Sequence, residues 1–288
     1  MPRSVSGAFT ELLGRLELTS EQSQTAATRA KALKDFFETN FTMASRAFMI
    51  GSYRRGTLIR PERDIDLLAP LDYPTYKAQY DDDSRAFLYF VRDRLNDRYA
   101  TTRVSSRQVA IVLDFNVIRA DVVPAFSRKG GGYFIPNGRK GWTATNPEYH
   151  ARLIGDRDSE LNGRLKPLIR LMKYWNIQNG GHLSSFHVEL MMWRMWRRDG
   201  SVPAYSTAVM QSIDAMRSWL KSRLDDPWEG GGRIDQYLSS ADRAMVGRML
   251  NQDAKSSAQA EEYRKSDKIE KAFERWNTVF RKGFPAYG

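Results

Sequence analysis

A bilobed α+β architecture is what this sequence predicts: a mixed sheet flanked by helices over residues 1–150, a helical domain over residues 151–288, and a central cleft between them. Three observations carry that expectation. The first half holds short apolar runs bounded by turn residues, the pattern of strands. Beyond Pro147 the apolar residues recur at helical spacing over longer stretches. No linker-like tract separates the halves, so they are expected to share one cleft rather than swing apart.

Taken in order, residues 19–41 (TSEQSQTAATRAKALKDFFETNF) predict an N-terminal helix. Thr19 or Ser20 can cap it, Glu21 stands early, and alanine, leucine and phenylalanine recur at helical intervals. RAFMIGS predicts a short strand rising into a Gly-Ser turn, and DIDLLAPL a second strand. SRAFLYFVRDRLNDRYA predicts a helix with Phe87, Phe90, Val91 and Leu95 on one side. RQVAIVLDFNVIRADVVPAF predicts two strands joined near residues 115–117, with Pro124 ending or edging the second. SRKGGGYFIPNGRKGWTATNP is rich in glycine and predicts a loop. ELNGRLKPLIRLMKYWNIQ, SSFHVELMMWRMWRR and the long run from Ser240 onward predict helices. No internal repeat or low-complexity tract interrupts them.

Composition narrows the chemistry. The chain is 41% apolar and 12% aromatic, enough for a real core. It has no cysteine, which excludes disulfides and thiolate metal sites, and only three histidines, which disfavours a histidine-based one. The N-terminal residues have no signal-peptide pattern, and the apolar runs fall far short of the ~20 residues of a spanning helix. A cytoplasmic protein with no membrane partner is expected. The net charge of +11 favours polyanionic partners, although a solvated basic surface would give the same number.

The densest chemistry lies in GSYRRGTLIRPERDIDLLAPLD, residues 51–72. Residues i and i+2 of a strand face the same way, so Asp64 and Asp66 project side by side. Neighbouring carboxylates repel and resist burial. A polar surface would tolerate them, whereas a bound divalent cation would require them. Gly51 lets backbone approach a phosphate, Ser52 can cap the following helix, and Arg54, Arg55, Arg60 and Arg63 add positive charge. A Gly-Ser turn followed by an exposed acidic strand end is the plain structural alternative for each part taken singly. Downstream, Lys166 and Lys173 stand seven apart and so lie near one helical face, where a lysine snorkelling over apolar surface is the plain alternative.

IGS, eleven residues, then DIDL resembles the signature of the DNA polymerase β-type nucleotidyltransferase superfamily. With the later ADVVPAF, it resembles the cGAS/DncV-like nucleotidyltransferases (CD-NTases) of bacterial CBASS anti-phage signalling. The resemblance implies a polymerase β-like core over residues 1–150 and an oligoadenylate synthetase or poly(A) polymerase-like helical domain over 151–288. It implies Gly51 and Ser52 as the phosphate-contacting turn, and Asp64 and Asp66 as the first two metal ligands. Asp121 matches the third carboxylate, which holds one metal and serves or assists the base; Asp114 is its rival, and the Asp-Val-Val-Pro context favours Asp121. In LKPLIRLMKYWN, Lys173 matches a triphosphate-contacting lysine, and in SSFHVELM, Ser185 matches a second such contact. His187 reads as structural.

The activity so implied is template-independent joining of ATP, and a second NTP, into a cyclic di- or trinucleotide with two Mg2+ or Mn2+ ions. Nucleic acid is not required, and there is room for a regulatory or conjugating partner protein. Tyr53, Tyr133 and Trp142 are open candidates for stacking on a base, while Trp193 and Trp196 read as helix core. Two other readings stand beside this one. The charge of +11 suits an RNA-directed terminal transferase or a dsRNA-activated synthetase. A binding-only pseudo-enzyme is disfavoured by the intact Asp64, Asp66 and Asp121. Other motifs are weak: RKGGGYF lacks the spacing of a P-loop, and DPWEGGG is a turn sequence.

Overall fold

The computed structural model describes residues 1–60, 64–196 and 200–288. Arg63, one of the expected positive charges, lies outside the described residues, as do Arg197 and Arg198 at the end of the expected MMWRMWRR helix. The first half contains α1 (Val5–Leu16), α2 (Ser20–Asn40), β1 (Phe48–Ile50), a one-turn α3 (Gly51–Arg55) and β2 (Asp64–Leu71). It continues with α4 (Tyr73–Tyr80), α5 (Ser84–Arg98), β3 (Arg103–Ser106), β4 (Ile111–Asp114), β5 (Arg119–Ser127), β6 (Tyr133–Pro136) and β7 (Trp142–Thr145). Then follow α6 (Pro147–Glu160), α7 (Leu165–Gln178), α8 (Ser185–Met195), α9 (Tyr205–Trp219), α10 (Ser240–Lys265) and α11 (Ile269–Val279).

The expected α2 starts as its cap residues dictate. Thr19 Oγ1 accepts from Gln22 N at 3.1 Å, and Gln22 Oε1 accepts from Thr19 N at 3.0 Å, closing a capping box. The long C-terminal helical run divides at Asp267, whose φ of 54° cannot continue a right-handed helix.

The sheet runs β1-β2-β5-β4-β3, with β6 on β5 and β7 on β6. Among the described residues, only the β2–β5 pairing is parallel. Of the two expectations for Pro124, it does not end β5 but lies within it at an edge. β4 pairs β5 up to Val122 and β6 pairs it from Phe126, so residues 123–125 have no partner on that edge. A residue without an N–H is tolerated in that gap. The segment expected to be a loop is the β6–β7 hairpin. Its glycines and Asn137 form the ends, while the β-prone YFIP and WTAT pair with each other.

Two apolar clusters form. One joins the sheet to α2 and α5 through Leu33, Phe37, Ile65, Leu67, Phe87 and Val91. The other joins α6–α11 through Leu168, Trp175, Val188, Ile213, Leu250 and Trp276. The N-terminal helix α1 departs from the two-part expectation. Val5, Ala8, Phe9, Leu12 and Leu16 are buried in the helical cluster, although they fall within residues 1–150. Their 3–4-residue spacing makes an apolar stripe, and α7, α9 and α11 supply the surface that covers it.

Candidate active site

Strand register assembles the acidic centre. β1 sets Ile50 opposite Asp66, and β2 sets Asp66 beside Asp121 and Asp64 beside Arg119. Register partners face the same way on strands about 4.8 Å apart. Asp64, Asp66 and Asp121 therefore share one face at the end of β1. Gly51 turns the chain there with a φ of +63°, and a Cβ at that position would overlap the Asp66 carboxylate. Only glycine fits both the angle and the space.

Arg119 stands among these acids. It is ion-paired to Asp64, its Nε lies 3.5 Å from Asp121 Oδ1, and Arg107 approaches Asp121 Oδ2 at 4.0 Å. Among the described residues, Asp121 Oδ1 and Arg119 Nε are buried with no hydrogen-bond partner beyond that long contact. Desolvation, then the neighbouring Asp121 charge, pushes Asp66 up to about 7, against the pull of Arg55. Desolvation also raises Asp121, opposed by Arg119 and Arg107. Among the described residues the acids do not close into a ready-made metal cluster; Arg119 stands between two of them. The donor set still fits a hard cation. It offers three oxygen ligands on one face, one with an orphaned buried oxygen. Asp114, the rival third acid, is exposed and accepts from Asn116 N at 3.2 Å, which caps the β4–β5 turn.

Asp64 and Asp66 open into a cleft of about 550 Å3 between the halves, whose lining does not include Asp121. Gly51, Ser52, Arg55, Asp64 and Asp66 line one wall. Ser185, first residue of α8, lines the other, beside His150, Phe186 and Asp226. The cleft thus brings Gly51, Ser52 and Ser185 to one space.

Three expectations are corrected. Ser52 does not cap a helix: α3 begins at Gly51 behind Ile50 with no side-chain cap, and Ser52 O instead accepts from Thr57 N at 2.9 Å. Lys173 does not line the cleft. It is 1% exposed, donates to Thr57 O at 3.0 Å and lies 4.0 Å from Glu189 Oε1. The α3–Thr57 segment covers it, a contact that helical spacing does not reveal. Trp142 packs on Phe87 and Phe126 and donates to Asp81 O at 2.8 Å; with Tyr53 and Tyr133 it stands outside the cleft lining.

Sequence reasoning missed His150 and Asp226. His150 Nε2 lies 2.8 Å from Asp226 Oδ1, and both are buried in the cleft wall. The signal was DPWEGGG, read only as a turn. It is one, with Asp226 N donating to Gly232 O at 2.9 Å, and it also delivers Asp226.

Comparison with known proteins agrees with this geometry. The family model of the Second Messenger Oligonucleotide or Dinucleotide Synthetase domain (SMODS) matches residues 3–157. A cyclic AMP-AMP-AMP synthase from Acinetobacter sp. is 29% identical over 184 residues, 59% of this chain; the match spans about half, 52%, of that enzyme's length. A probable cyclic nucleotide synthase from Bacillus cereus is 24% identical over 82% of this chain and 81% of its own. Among solved structures, Escherichia coli MS115-1 CdnC with ATP superposes with a TM-score of 0.79 at 16% identity, covering 98% of this chain and 99% of that one. The same CdnC in complex with a HORMA protein superposes at 0.78 and 16% identity, over 98% of each chain. With residues 3–157, more than half of its length, matched by the family model, this chain belongs to the second messenger oligonucleotide or dinucleotide synthetases, the CD-NTases.

Proposed function

We infer that this chain is a template-independent nucleotidyltransferase that joins NTPs, ATP among them, into a cyclic di- or trinucleotide second messenger for anti-phage defence. The observation that carries the reading is the register of Asp66 with Asp121 directly behind the Gly51 turn. Asp64, Asp66 and Asp121 would hold Mg2+ or Mn2+, which supplies charge neutralisation at the α-phosphate and a lowered hydroxyl pKa. Gly51 and Ser52 bind the donor phosphates from one wall and Ser185 from the other. Asp121 takes the proton of the attacking ribose hydroxyl. The new bond forms between that oxygen and the α-phosphorus, and the bond to pyrophosphate breaks. A second transfer within the cleft closes the ring. The HORMA complex of CdnC supports regulation through a partner protein.

Purified protein incubated with labelled NTPs and Mg2+ or Mn2+, without nucleic acid, is expected to yield a phosphatase-resistant cyclic product that Asp64→Ala/Asp66→Ala abolishes. Linear tails that form only with added RNA would replace this reading with terminal transfer.

A further inference from the structure

We propose that Glu189 is a positioning residue for nucleotide binding: its carboxylate ties Arg55 and Thr57, behind the Gly51–Ser52 turn, to helix α8, and so fixes the Arg55 side chain opposite Ser185. This rests on the nucleotidyltransferase reading above. Glu189 is 0% exposed. Its Oε2 accepts from Arg55 Nε, and its Oε1 accepts from Thr57 Oγ1 at 2.7 Å. Lys173 Nζ lies 4.0 Å from the same Oε1 and donates to Thr57 O. The contacts come from three elements: α3 with its exit residue Thr57 from the sheet half, and α7 and α8 from the helical half.

Burying a carboxylate between two cations is costly, and packed apolar residues often do as well for stability. A specific geometry is the better account of such a set. Burial acts to raise the Glu189 carboxyl, but Arg55 and Lys173 hold it below its ordinary value, so it stays an anion. The anion grips Arg55 through Nε, and the Arg55 guanidinium lies 5.2 Å over the Phe186 ring at the cleft wall. Glu189 is four residues after Ser185, on the same face of α8. One side chain therefore links Arg55 in one wall of the cleft to the helix that carries Ser185 in the other. Arg170, which donates to Gly56 O at 3.2–3.3 Å, holds the same segment from outside. Segment 51–57 keeps its backbone tether when Glu189 changes, so what the substitution releases is Arg55.

The test is binding of the α,β-methylene analogue of ATP with Mg2+, beside KM and kcat for product formation, at a temperature where circular dichroism shows every variant folded. Glu189→Gln keeps size and an acceptor for Thr57 but loses the charge that holds Arg55. It is expected to weaken analogue binding and raise KM by about 10–100-fold, the usual loss when a supporting partner of a ligand group is removed. Arg55→Lys, which leaves Glu189 paired, guards against a misfolded glutamine variant and is expected to lose affinity similarly. A merely structural role would lower the melting temperature and leave the affinity of the folded fraction unchanged. Wild-type affinity in both variants overturns the positioning role. Absence of analogue binding by the wild-type protein overturns the nucleotidyltransferase reading itself, and the inference with it.

Discussion

Gly51 shows how much of a site one residue can decide. Its φ of +63° and the overlap of a Cβ with Asp66 leave no room for a side chain. Gly51→Ala is expected to cost about 1–2 kcal/mol for the left-handed backbone and to displace Asp66. Displacing a reacting group by about 1 Å can cost ~100-fold in rate. Melting temperature and cyclic-product formation, measured together, check this; a variant with undiminished turnover would refute the argument. At this scale the sequence was readable where chemistry is local. The spacing of Asp64 and Asp66 in an apolar run gives their shared face, and the Gly-Ser pair gives the turn. Asp121 needed the family motif, because only sheet register sets it beside Asp66. Lys173 misled because helical spacing tells which residues share a face but not what covers that face.

Among the elements, α8 carries the most consequence. Its N-cap Ser184 accepts from His187 N at 3.2 Å, and Ser184 N donates to Tyr237 Oη at 2.7 Å. Tyr237 Oη also lies 3.0 Å from His187 Nδ1, within hydrogen-bond distance. Burial lowers His187 to about 4, with Arg243 adding to the effect and Asp235 opposing it. Folded protein thus keeps the imidazole neutral while the unfolded chain takes up a proton below its ordinary value of about 6.5. This contribution is complete above pH 6.5. It is lost as pH falls from about 6.5 to 4, to about 3 kcal/mol, and levels off below. Denaturant unfolding at a series of pH values, with His187→Gln as reference, should show that difference in slope. The β6–β7 hairpin was missed for a reason at the same scale: five glycines between residues 130 and 141 outweighed two four-residue strands in the reading. The signal present was Asn-Gly between β-prone runs, a recognised hairpin mark.

At the scale of the molecule, the sheet half followed from short apolar runs bounded by turn residues and the helical half from its spacing, but the assignment of α1 did not. An amphipathic stripe states that a helix is covered without stating by which part of the chain. Phe9 packs against Trp276 and Phe284 at 5.0 Å and Phe280 at 6.1 Å. Phe9→Ala is expected to cost about 3–5 kcal/mol. Hydrogen exchange should accelerate first in α7, α9 and α11 and not in the sheet; the opposite order would contradict the packing. The charge of +11 was equally uninformative between candidates, since NTPs and nucleic acids are both polyanions.

With α1 in the helical cluster and α2 in the sheet cluster, the backbone passes between the halves at residues 17–19, again around Ile59, which is buried in the helical cluster between two sheet strands, and again near Asn146. Because several separate stretches of chain cross between the halves, a cut in any one of them would leave the two walls of the cleft joined by the rest.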